Sequence, residues 1–191
     1  MQLKGSKTER NLLLAYGGES QNRNLYTFFA LKAKEEGYEQ IAEIFLKTAD
    51  NEKEHARQEL KLIQTGEVEL SGIFPVQGIG DTEANLKVAV NGEHYEHTIM
   101  YPEFGRIADE EGFTEIAAMF RYIAGVEGQH ENRYSALLTS VKAKKVFKKD
   151  SVVKWNCRIC GYLHESKDAP ITCPLCAYDQ AHFELLAERR Y

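Results

Sequence analysis

Two short segments of the chain each pair a glutamate with a histidine three residues later. Glu52 precedes His55, and Glu127 precedes His130. Residues three apart share one face of an α-helix, and in both segments the rest of that face is apolar. A buried carboxylate or imidazole is costly unless something pairs with it. Two Glu-x-x-His pairs that face a helical core are typical of a dinuclear carboxylate site, so the pattern predicts two metal ions bound inside a helical bundle.

An internal repeat supplies the other half of such a ligand set. Residues 35–45 return as residues 110–120, an offset of 75 that also aligns the two Glu-x-x-His pairs. Earlier in each half the offset is 74, and it aligns Glu19 with Glu93. Each half therefore predicts one helix with a lone buried glutamate and a second helix with Glu-x-x-His. Solvated glutamates on a duplicated helical scaffold are the alternative, but all four glutamates lie on apolar stripes.

Helical periodicity and the expected capping residues define the four helices that position these side chains. Ser6 is the expected N-cap of the first helix, and Gly37 and Gly112 are expected to end the first and third helices. We expect the second helix over about 39–64 and the fourth over about 114–142. Helices of this length favour a four-helix bundle.

Residues 66–81 interrupt the helical pattern with several glycines and one proline. A ferritin-like bundle needs one long crossover between its two helix pairs, and we expect this segment to provide it. Asp81 is then the predicted N-cap of the third helix. Pro102 lies inside the third helix and should kink it, because proline removes one backbone hydrogen bond.

Composition narrows the functional classes. The 191 residues include 24 basic and 29 acidic side chains, a balance that argues against a nucleic-acid surface. No apolar run approaches the length of a membrane span, so we expect neither nucleic acid nor a membrane as a partner. The first ten residues lack the apolar stretch of a signal peptide, which predicts a cytoplasmic protein. In that compartment paired cysteines bind metals more often than they form disulfides.

The four cysteines form two Cys-x-x-Cys pairs, Cys157 with Cys160 and Cys173 with Cys176. Two such pairs facing each other make a tetrahedral cage of four thiolates, which suits zinc or a single iron. On spacing alone a structural zinc ribbon is at least as well supported as iron, and disulfides come third. Zinc is redox-inert, whereas iron can carry an electron, so a neighbouring dinuclear redox site favours iron.

A lysine-rich segment precedes the cysteines. Its six lysines are Lys142, Lys144, Lys145, Lys148, Lys149 and Lys154. We interpret the segment as a solvated helix end and linker. A docking patch for an acidic electron-transfer partner is the alternative.

The chain resembles the rubrerythrin family along essentially its whole length. The supporting segments are residues 18–21, 52–56, 92–96, 100–102, 127–130, 157–162, 173–176 and 182–186. Either half of this combination alone would leave ferritins or zinc ribbons open. The resemblance implies a mainly α fold, with a ferritin-like four-helix bundle in residues 1–148 and a small β-rich rubredoxin-like domain in residues 149–191.

The resemblance also implies a function in oxidative-stress defence. Family members are non-haem di-iron peroxidases that reduce hydrogen peroxide to water. Their cofactors would be two irons in an oxo- and carboxylate-bridged site and one iron in the four-cysteine site. Electrons would come from rubredoxin or from an NADH-dependent reductase. A homodimer is implied, in which the cysteine centre of one chain lies near the di-iron site of the other.

We expect Glu52 and Glu127 to bridge the two irons, as the central members of the two pairs. The expected terminal ligands are Glu19, Glu93, His55 and His130. Each histidine should have its free ring nitrogen held by a hydrogen-bond acceptor.

Glu96 is an additional ligand candidate, and its counterpart in the repeat is Asn22. We expect one iron to take Glu96 when oxidised and His55 when reduced, because ferric iron prefers carboxylate oxygen and ferrous iron accepts imidazole more readily. The family resemblance implies the same exchange. Tyr26 and Tyr101 are candidate hydrogen-bond donors to ligand carboxylates, with core tyrosines bonded elsewhere as the alternative. The predicted catalytic residues are Glu96, His55, Tyr26 and Tyr101.

Two other functions stay open at this point. A ferritin-like ferroxidase that binds iron would use the same dinuclear site, and it would consume oxygen while growing a mineral. A structural or regulatory protein would carry zinc in the cysteine site, and it would lack the visible absorption of a ferric four-thiolate centre.

Overall fold

The computed structural model describes residues 2–63, 66–67 and 71–186, and it is a four-helix bundle followed by a small sheet. The α-helices are α1 (Lys7–Glu35), α2 (Glu39–Leu62), α3 (Thr82–Tyr95), α4 (Tyr101–Glu110) and α5 (Thr114–Lys142). A π-helical segment, Glu96–Met100, joins α3 to α4, so these three elements together form the third helix of the bundle. The predicted mainly α fold is confirmed. The predicted end of the second helix at Gln64 and residues 68–70 of the predicted crossover lie outside the described residues.

The predicted N-caps Ser6 and Asp81 and the predicted end of the first helix at Gly37 are confirmed. Ser6 accepts a hydrogen bond from the Glu9 N–H at 3.0 Å, and Asp81 accepts one from the Ala84 N–H at 2.8 Å. Gly37 follows α1 with φ of +79°. Glycine adopts this left-handed conformation at little cost, so the chain can turn directly into α2.

The two halves of the repeat cap each other's first helix. Glu111 accepts hydrogen bonds from the N–H groups of Lys7 and Thr8 at the start of α1, at 3.1 and 2.8 Å. Glu36, its equivalent in the repeat, accepts one from the Thr82 N–H at the start of α3, at 2.9 Å. A carboxylate at a helix N-terminus also complements the helix dipole. These bonds hold the two helix pairs together and thereby orient the side chains between them.

The π-helical segment lies where the repeat offset changes. Asn22 aligns with Glu96 at an offset of 74, whereas Tyr26 aligns with Tyr101 at an offset of 75, so the second half contains one more residue here. A π-helical turn accommodates one extra residue within an otherwise α-helical stretch. Pro102 directly follows this segment, in the first turn of α4. The irregularity predicted at Pro102 therefore lies immediately before it and takes the form of a π-helical turn.

Two aromatic clusters fill the bundle on either side of its centre. One contains Phe29 and Phe45, and the other contains their repeat equivalents Phe104 and Phe120. Phe29, Phe45 and Phe120 are fully buried. Each fully buried side chain of this size contributes about 1.5–3 kcal/mol relative to an exposed one. Each cluster also contains a tyrosine, Tyr26 or Tyr101, that hydrogen-bonds to one of the buried glutamates described below.

The C-terminal module is a three-stranded antiparallel sheet in the order β2-β1-β3. Its strands are β1 (Lys148–Cys157), β2 (Leu163–Asp168) and β3 (Phe183–Leu185). Trp155 and Phe183 fill its core beside the cysteines. The module contacts the bundle through Arg158, whose guanidinium is 2.6 Å from Glu43 on α2, and through Phe147, which stacks on Tyr38.

The lysine-rich segment is partly neutralised. Lys145, Lys148 and Lys154 pair with Asp150, Asp168 and Glu165, at 2.6, 3.6 and 3.5 Å. Because half of its lysines already have carboxylate partners, this pairing favours a solvated linker over a docking patch. Across the described part of the chain, none of the helices is both long enough and apolar enough to cross a membrane.

Candidate metal centres

Six polar side chains converge between the aromatic clusters, in two overlapping sets. The first set contains Glu19, Glu52, His55 and Glu127, and the second contains Glu52, Glu93, Glu127 and His130. Within each set, one ligand atom per residue lies within 4.8 Å of all the others. The lone glutamates come from α1 and α3, and the Glu-x-x-His pairs come from α2 and α5. Each of the four helices of the bundle therefore contributes to the centre.

The two shared glutamates present one oxygen to each set. Glu52 Oε2 is 2.9 Å from His55 Nδ1, and Glu52 Oε1 is 3.2 Å from His130 Nδ1. Glu127 does the same, with Oε1 2.9 Å from His55 Nδ1 and Oε2 2.7 Å from His130 Nδ1. Glu19 and Glu93 each belong to one set only. Glu52 and Glu127 are therefore shared by the two sets, as expected for the predicted bridging ligands.

Although each Nδ1 lies within 3.2 Å of two carboxylate oxygens, the converging atoms make no hydrogen bond of normal geometry within the described residues. They are both carboxylate oxygens of Glu52 and of Glu127, Oε2 of Glu19 and of Glu93, and Nδ1 of His55 and of His130. Buried polar atoms without partners are costly, and metal ions at the two convergence points would satisfy all of them. Carboxylate oxygen and imidazole nitrogen are ligands that suit iron. The residues present therefore fit a di-iron centre.

Protons occupy the metal-free cluster because burial and mutual repulsion oppose ionised carboxylates. Burial raises the pKa of Glu93 to about 8, although His130 acts in the opposite direction. Burial alone would lower the pKa of His130, but the facing carboxylates outweigh it and raise that pKa to about 11. The pKa of His55 is raised for the same reason. Glu127 differs, since the two histidines outweigh its burial and lower its pKa to about 2.

Iron loading should therefore release protons. At pH 7 both histidines of the metal-free cluster are protonated, and a ligating histidine must lose its proton. We expect about one proton released per histidine and a further contribution from Glu93, whose pKa of about 8 keeps it protonated at pH 7, with an apparent ferrous affinity that rises with pH. Calorimetric titration with ferrous iron in two buffers of different ionisation enthalpy measures the number. His130→Ala should release about one proton fewer, and an uptake of protons would contradict the expectation.

Both predicted tyrosines donate to terminal carboxylates. The Tyr26 hydroxyl donates to Glu93 Oε1 at 2.6 Å, and the Tyr101 hydroxyl donates to Glu19 Oε1. Each tyrosine therefore reaches the glutamate of the opposite half of the repeat. Such bonds leave one carboxylate oxygen free and orient it toward the convergence point.

Sequence reasoning missed Glu59. This side chain is fully buried, and its Oε1 lies 3.0 Å from the Tyr101 hydroxyl. Burial raises the pKa of Glu59 to about 8, because no cation is paired with it directly. Its position one helical turn after His55 was the available signal, since it continues the same buried stripe. The repeat places Tyr134 at the equivalent position.

Glu96 lies outside both convergent sets. It is 7% exposed, and its Oε1 accepts a hydrogen bond from Asn22 Nδ2 at 2.9 Å. Burial raises the pKa of Glu96, and Glu19 is the strongest of the neighbouring charges that add to this shift. The structure brings together six of the seven predicted di-iron ligands. The seventh, Glu96, is hydrogen-bonded to Asn22, its equivalent in the first half of the repeat.

The two histidines differ in their outer ring nitrogen. His130 Nε2 lies 3.3 Å from Asn51 Oδ1, which meets the expectation of a hydrogen-bond acceptor. In the described part of the chain, no comparable acceptor contacts His55. Val126, the repeat equivalent of Asn51, has no polar side-chain atom, so the acceptor expected for His55 stays a prediction.

A cavity of about 520 Å³ reaches Glu96 from the surface. It is lined by Asn22 and Gly92 and is covered by residues 71–75 of the crossover. Arg10 holds the crossover by donating a hydrogen bond to the Ser71 carbonyl at 3.1 Å. Small molecules can therefore approach Glu96 from this side.

The four cysteines form a second centre. All four thiols are free, and their sulfurs lie within 4.8 Å of one another. The Cys157–Cys176 and Cys160–Cys173 sulfur pairs are 3.7 and 3.6 Å apart. A tetrahedral metal with bonds of about 2.3 Å places its sulfurs about 3.8 Å apart. The thiols are therefore already spaced for a four-thiolate metal ion.

The two knuckles of this centre have the same backbone. Gly161 and Ala177 each follow a Cys-x-x-Cys pair, and each adopts a left-handed φ, +75° and +61°. The N–H groups of Gly161 and Ala177 donate to the carbonyls of Cys157 and Cys173, both at 2.9 Å. These turns direct backbone N–H groups at the sulfurs. Burial opposes ionisation of Cys173, but N–H donation from the second knuckle outweighs it and lowers the pKa of this thiol to about 7.

Comparison with known proteins gives a consistent match. The family model described as rubrerythrin matches residues 10–138, and the model of the rubrerythrin rubredoxin-like domain matches residues 155–184. The rubrerythrin of Porphyromonas gingivalis is 53% identical, over 95% of this chain and 91% of that protein. The rubrerythrin of Nitratidesulfovibrio vulgaris is 50% identical, over 96% of each. A structure of nigerythrin in a mixed-valence state superimposes with a TM-score of 0.65 at 34% identity, covering 96% of this chain and 90% of that one.

Proposed function

Because the chain belongs to the rubrerythrin family, we propose that it is a non-haem di-iron peroxidase that reduces hydrogen peroxide to water. Members of this family are oxidoreductases, and the chain carries the family's di-iron site and rubredoxin-like four-cysteine site. The observation that carries the proposal is the convergence of six buried carboxylate and imidazole side chains whose facing atoms make no hydrogen bond of normal geometry within the described residues. A two-metal site and a one-electron carrier in one chain suit a two-electron reduction.

The six convergent residues would hold the two irons. Glu52 and Glu127 would bridge them, since each presents one oxygen to each histidine. The terminal ligands would be Glu19 with His55 on one iron and Glu93 with His130 on the other. Two bound ferrous ions would supply the two electrons that break the O–O bond and would stabilise the negative charge that develops on oxygen.

The surrounding residues orient this site and keep bulk water away. Tyr26 and Tyr101 hold the terminal carboxylates through their hydroxyl groups, which supports their assignment to the catalytic set. The reaction adds two electrons and two protons to hydrogen peroxide and yields two water molecules. The cavity beside Glu96 is an entry route wide enough for so small an oxidant.

Glu96 and His55 would exchange as ligands of one iron. The observed arrangement, with His55 in the convergent set and Glu96 bonded to Asn22, is the one expected for the reduced site. On oxidation Glu96 would leave Asn22 and replace His55, because a carboxylate compensates the higher charge of ferric iron. Ligand exchange would thus be coupled to electron transfer.

Electrons would enter through the cysteine centre. Exposed apolar side chains, Ile159 and Leu175, lie within the two knuckles and offer a contact surface for rubredoxin or an NADH-dependent reductase. We further propose a cytoplasmic homodimer, with a bundle domain in residues 1–148 and an iron–cysteine domain in residues 149–191. β1 begins at Lys148, which supports a boundary at this point.

Metal content and turnover test the proposal. Protein purified from its own host should contain about three irons per chain, from one two-metal carboxylate set and one four-thiolate cage. It should absorb visible light in the oxidised state, and with rubredoxin and a reductase it should oxidise NADH only when peroxide is added. Zinc at the cysteines of such a preparation would contradict the electron-transfer role. Oxygen consumption with mineral growth, without peroxide turnover, would identify a ferroxidase instead.

A further inference from the structure

The two histidines of the di-iron site are equivalent in the repeat but are held differently. Nδ1 of each ring faces the same pair of carboxylates, Glu52 and Glu127. The outer nitrogen of His130 lies 3.3 Å from Asn51 Oδ1, and the His130 side chain is 1% exposed. The His55 side chain is 12% exposed, and its outer nitrogen has no hydrogen bond in the described part of the chain. The difference lies on the outer side of the rings.

The repeat accounts for this difference. At an offset of 75, Asn51 aligns with Val126 and His55 aligns with His130. Asn51 and Val126 both line one groove between α2 and α5. From the alignment of the two halves, we expect Val126 to have the position relative to His55 that Asn51 has relative to His130. A valine side chain has no acceptor, so it cannot hold an imidazole N–H.

An acceptor on the outer nitrogen has two effects on a ligating histidine. It selects the tautomer that leaves Nδ1 free for the metal, and it restrains rotation of the ring. We infer that Asn51 is a positioning residue that keeps His130 on its iron in both oxidation states, whereas Val126 leaves His55 free to give up its place. This inference rests on the proposed di-iron function, and it adds which residues decide where ligand exchange occurs.

A second asymmetry of the repeat lies on the same iron. Glu96, which the proposed function makes the alternative to His55, lies outside both convergent sets. The repeat equivalent of Glu96 is Asn22, whose amide is already bonded to Glu96. The iron held by His55 would therefore have two alternative protein ligands, His55 without an acceptor on its outer nitrogen among the described residues and Glu96 bonded to the Asn22 amide. The iron held by His130 would have no such alternative ligand, and the His130 ring is held by Asn51.

Two reciprocal variants test the inference, because each copies the other half of the repeat. Asn51→Val should release the His130 ring and weaken ferrous binding at one of the two positions about 10–100-fold. Asn51→Asp keeps an acceptor and should bind both irons as the natural protein does. Affinity is measured by competition with a chelator under anaerobic conditions. Unchanged affinity in Asn51→Val would overturn the role of Asn51.

Val126→Asn should give His55 the acceptor that it lacks. Crystals of this variant are compared in the reduced and the peroxide-oxidised state, with Val126→Ala as the control that adds no acceptor. We expect His55 to stay on its iron after oxidation in Val126→Asn and to leave it in Val126→Ala and in the natural protein. Departure of His55 in Val126→Asn would overturn the inference and leave the peroxidase function standing. Normal exchange without any peroxide turnover would contradict the peroxidase function alone.

Discussion

Cys160→Ser should reduce NADH-linked peroxide turnover to background, while chemically pre-reduced protein still completes one round of peroxide reduction. The substitution removes one of the four thiolates of the cysteine centre, whose sulfur lies 3.6 Å from that of Cys173. Without an iron there, electrons from the reductase have no carrier in the chain. The dinuclear site is built from other residues, so electrons already stored on it remain usable. Stopped-flow mixing of pre-reduced protein with peroxide separates the two steps.

A matched variant controls for damage to the small domain. Ile171→Ser introduces the same residue close to Cys173, but at a side chain that is 81% exposed, and it should leave linked turnover unchanged. Iron analysis should find about two irons per chain in Cys160→Ser, because the carboxylate site keeps its whole ligand set. Full linked activity in Cys160→Ser would mean that electrons reach the bundle by another route. Loss of the single round as well would place the cysteine centre in the oxygen chemistry itself.

The repeat made most of the dinuclear cluster predictable from the sequence. Once one Glu-x-x-His pair is recognised, the offset locates its partner, and the lone glutamates follow from the helix that precedes each pair. Helical periodicity then places the six side chains on buried faces, and the structure brings them together. The position of Glu96 could not be predicted in the same way. Periodicity turns its carboxylate inward, but it does not show that the Asn22 amide holds it away from the cluster.

The repeat also contained a signal that was overlooked. The offset changes from 74 to 75 between Asn22 and Tyr26 of the first half, which means that one residue is inserted in the second half. A continuous helix can absorb one residue only as a π-helical turn or a break, and the structure shows the π-helical turn at Glu96–Met100. The kink predicted at Pro102 lies close to this turn, but the inserted residue, and not the missing N–H of the proline, accounts for the turn.

Contacts between distant segments could not be predicted from local pattern. Glu36 and Glu111 look like solvated glutamates at helix ends, yet each caps a helix of the opposite half. The Arg158–Glu43 pair between the small sheet and α2 depends in the same way on how two separately folded elements meet. Spacing defines which residues share a face of one element. It does not define which residue of another element that face will meet.

Glu96→Asn copies Asn22 from the first half and should slow peroxide reduction about 10–100-fold, the range typical for loss of one oriented group at a metal site. The six convergent residues remain, so the variant should still bind two irons. One iron then lacks its carboxylate in the oxidised state and should keep His55 in both states. The ferric form loses a negative ligand and becomes harder to reach, so the midpoint potential of the di-iron site should rise. Spectroelectrochemical titration and pre-steady-state kinetics measure the two effects.

The stability of the metal-free variant separates a ligand from a structural residue. Burial raises the pKa of Glu96 above the value of 4.5 that an unperturbed glutamate has. A carboxyl whose pKa is raised by folding makes the folded state less stable as pH rises above its unfolded value, so its removal should not destabilise the protein at pH 7. Denaturant unfolding of metal-free Glu96→Asn and of Glu110→Asn, an exposed control on α4, tests this directly.

The possible outcomes for Glu96→Asn distinguish three roles. Slower turnover with a raised potential and two retained irons supports a ligand that binds only the oxidised site. Loss of the irons would mean that Glu96 is needed to hold them in every state, although it lies outside the convergent sets. Unchanged turnover and potential would mean that it is not a ligand at all. In that case its buried carboxylate would serve only to bond Asn22, and the asymmetry between the two halves would need a different explanation.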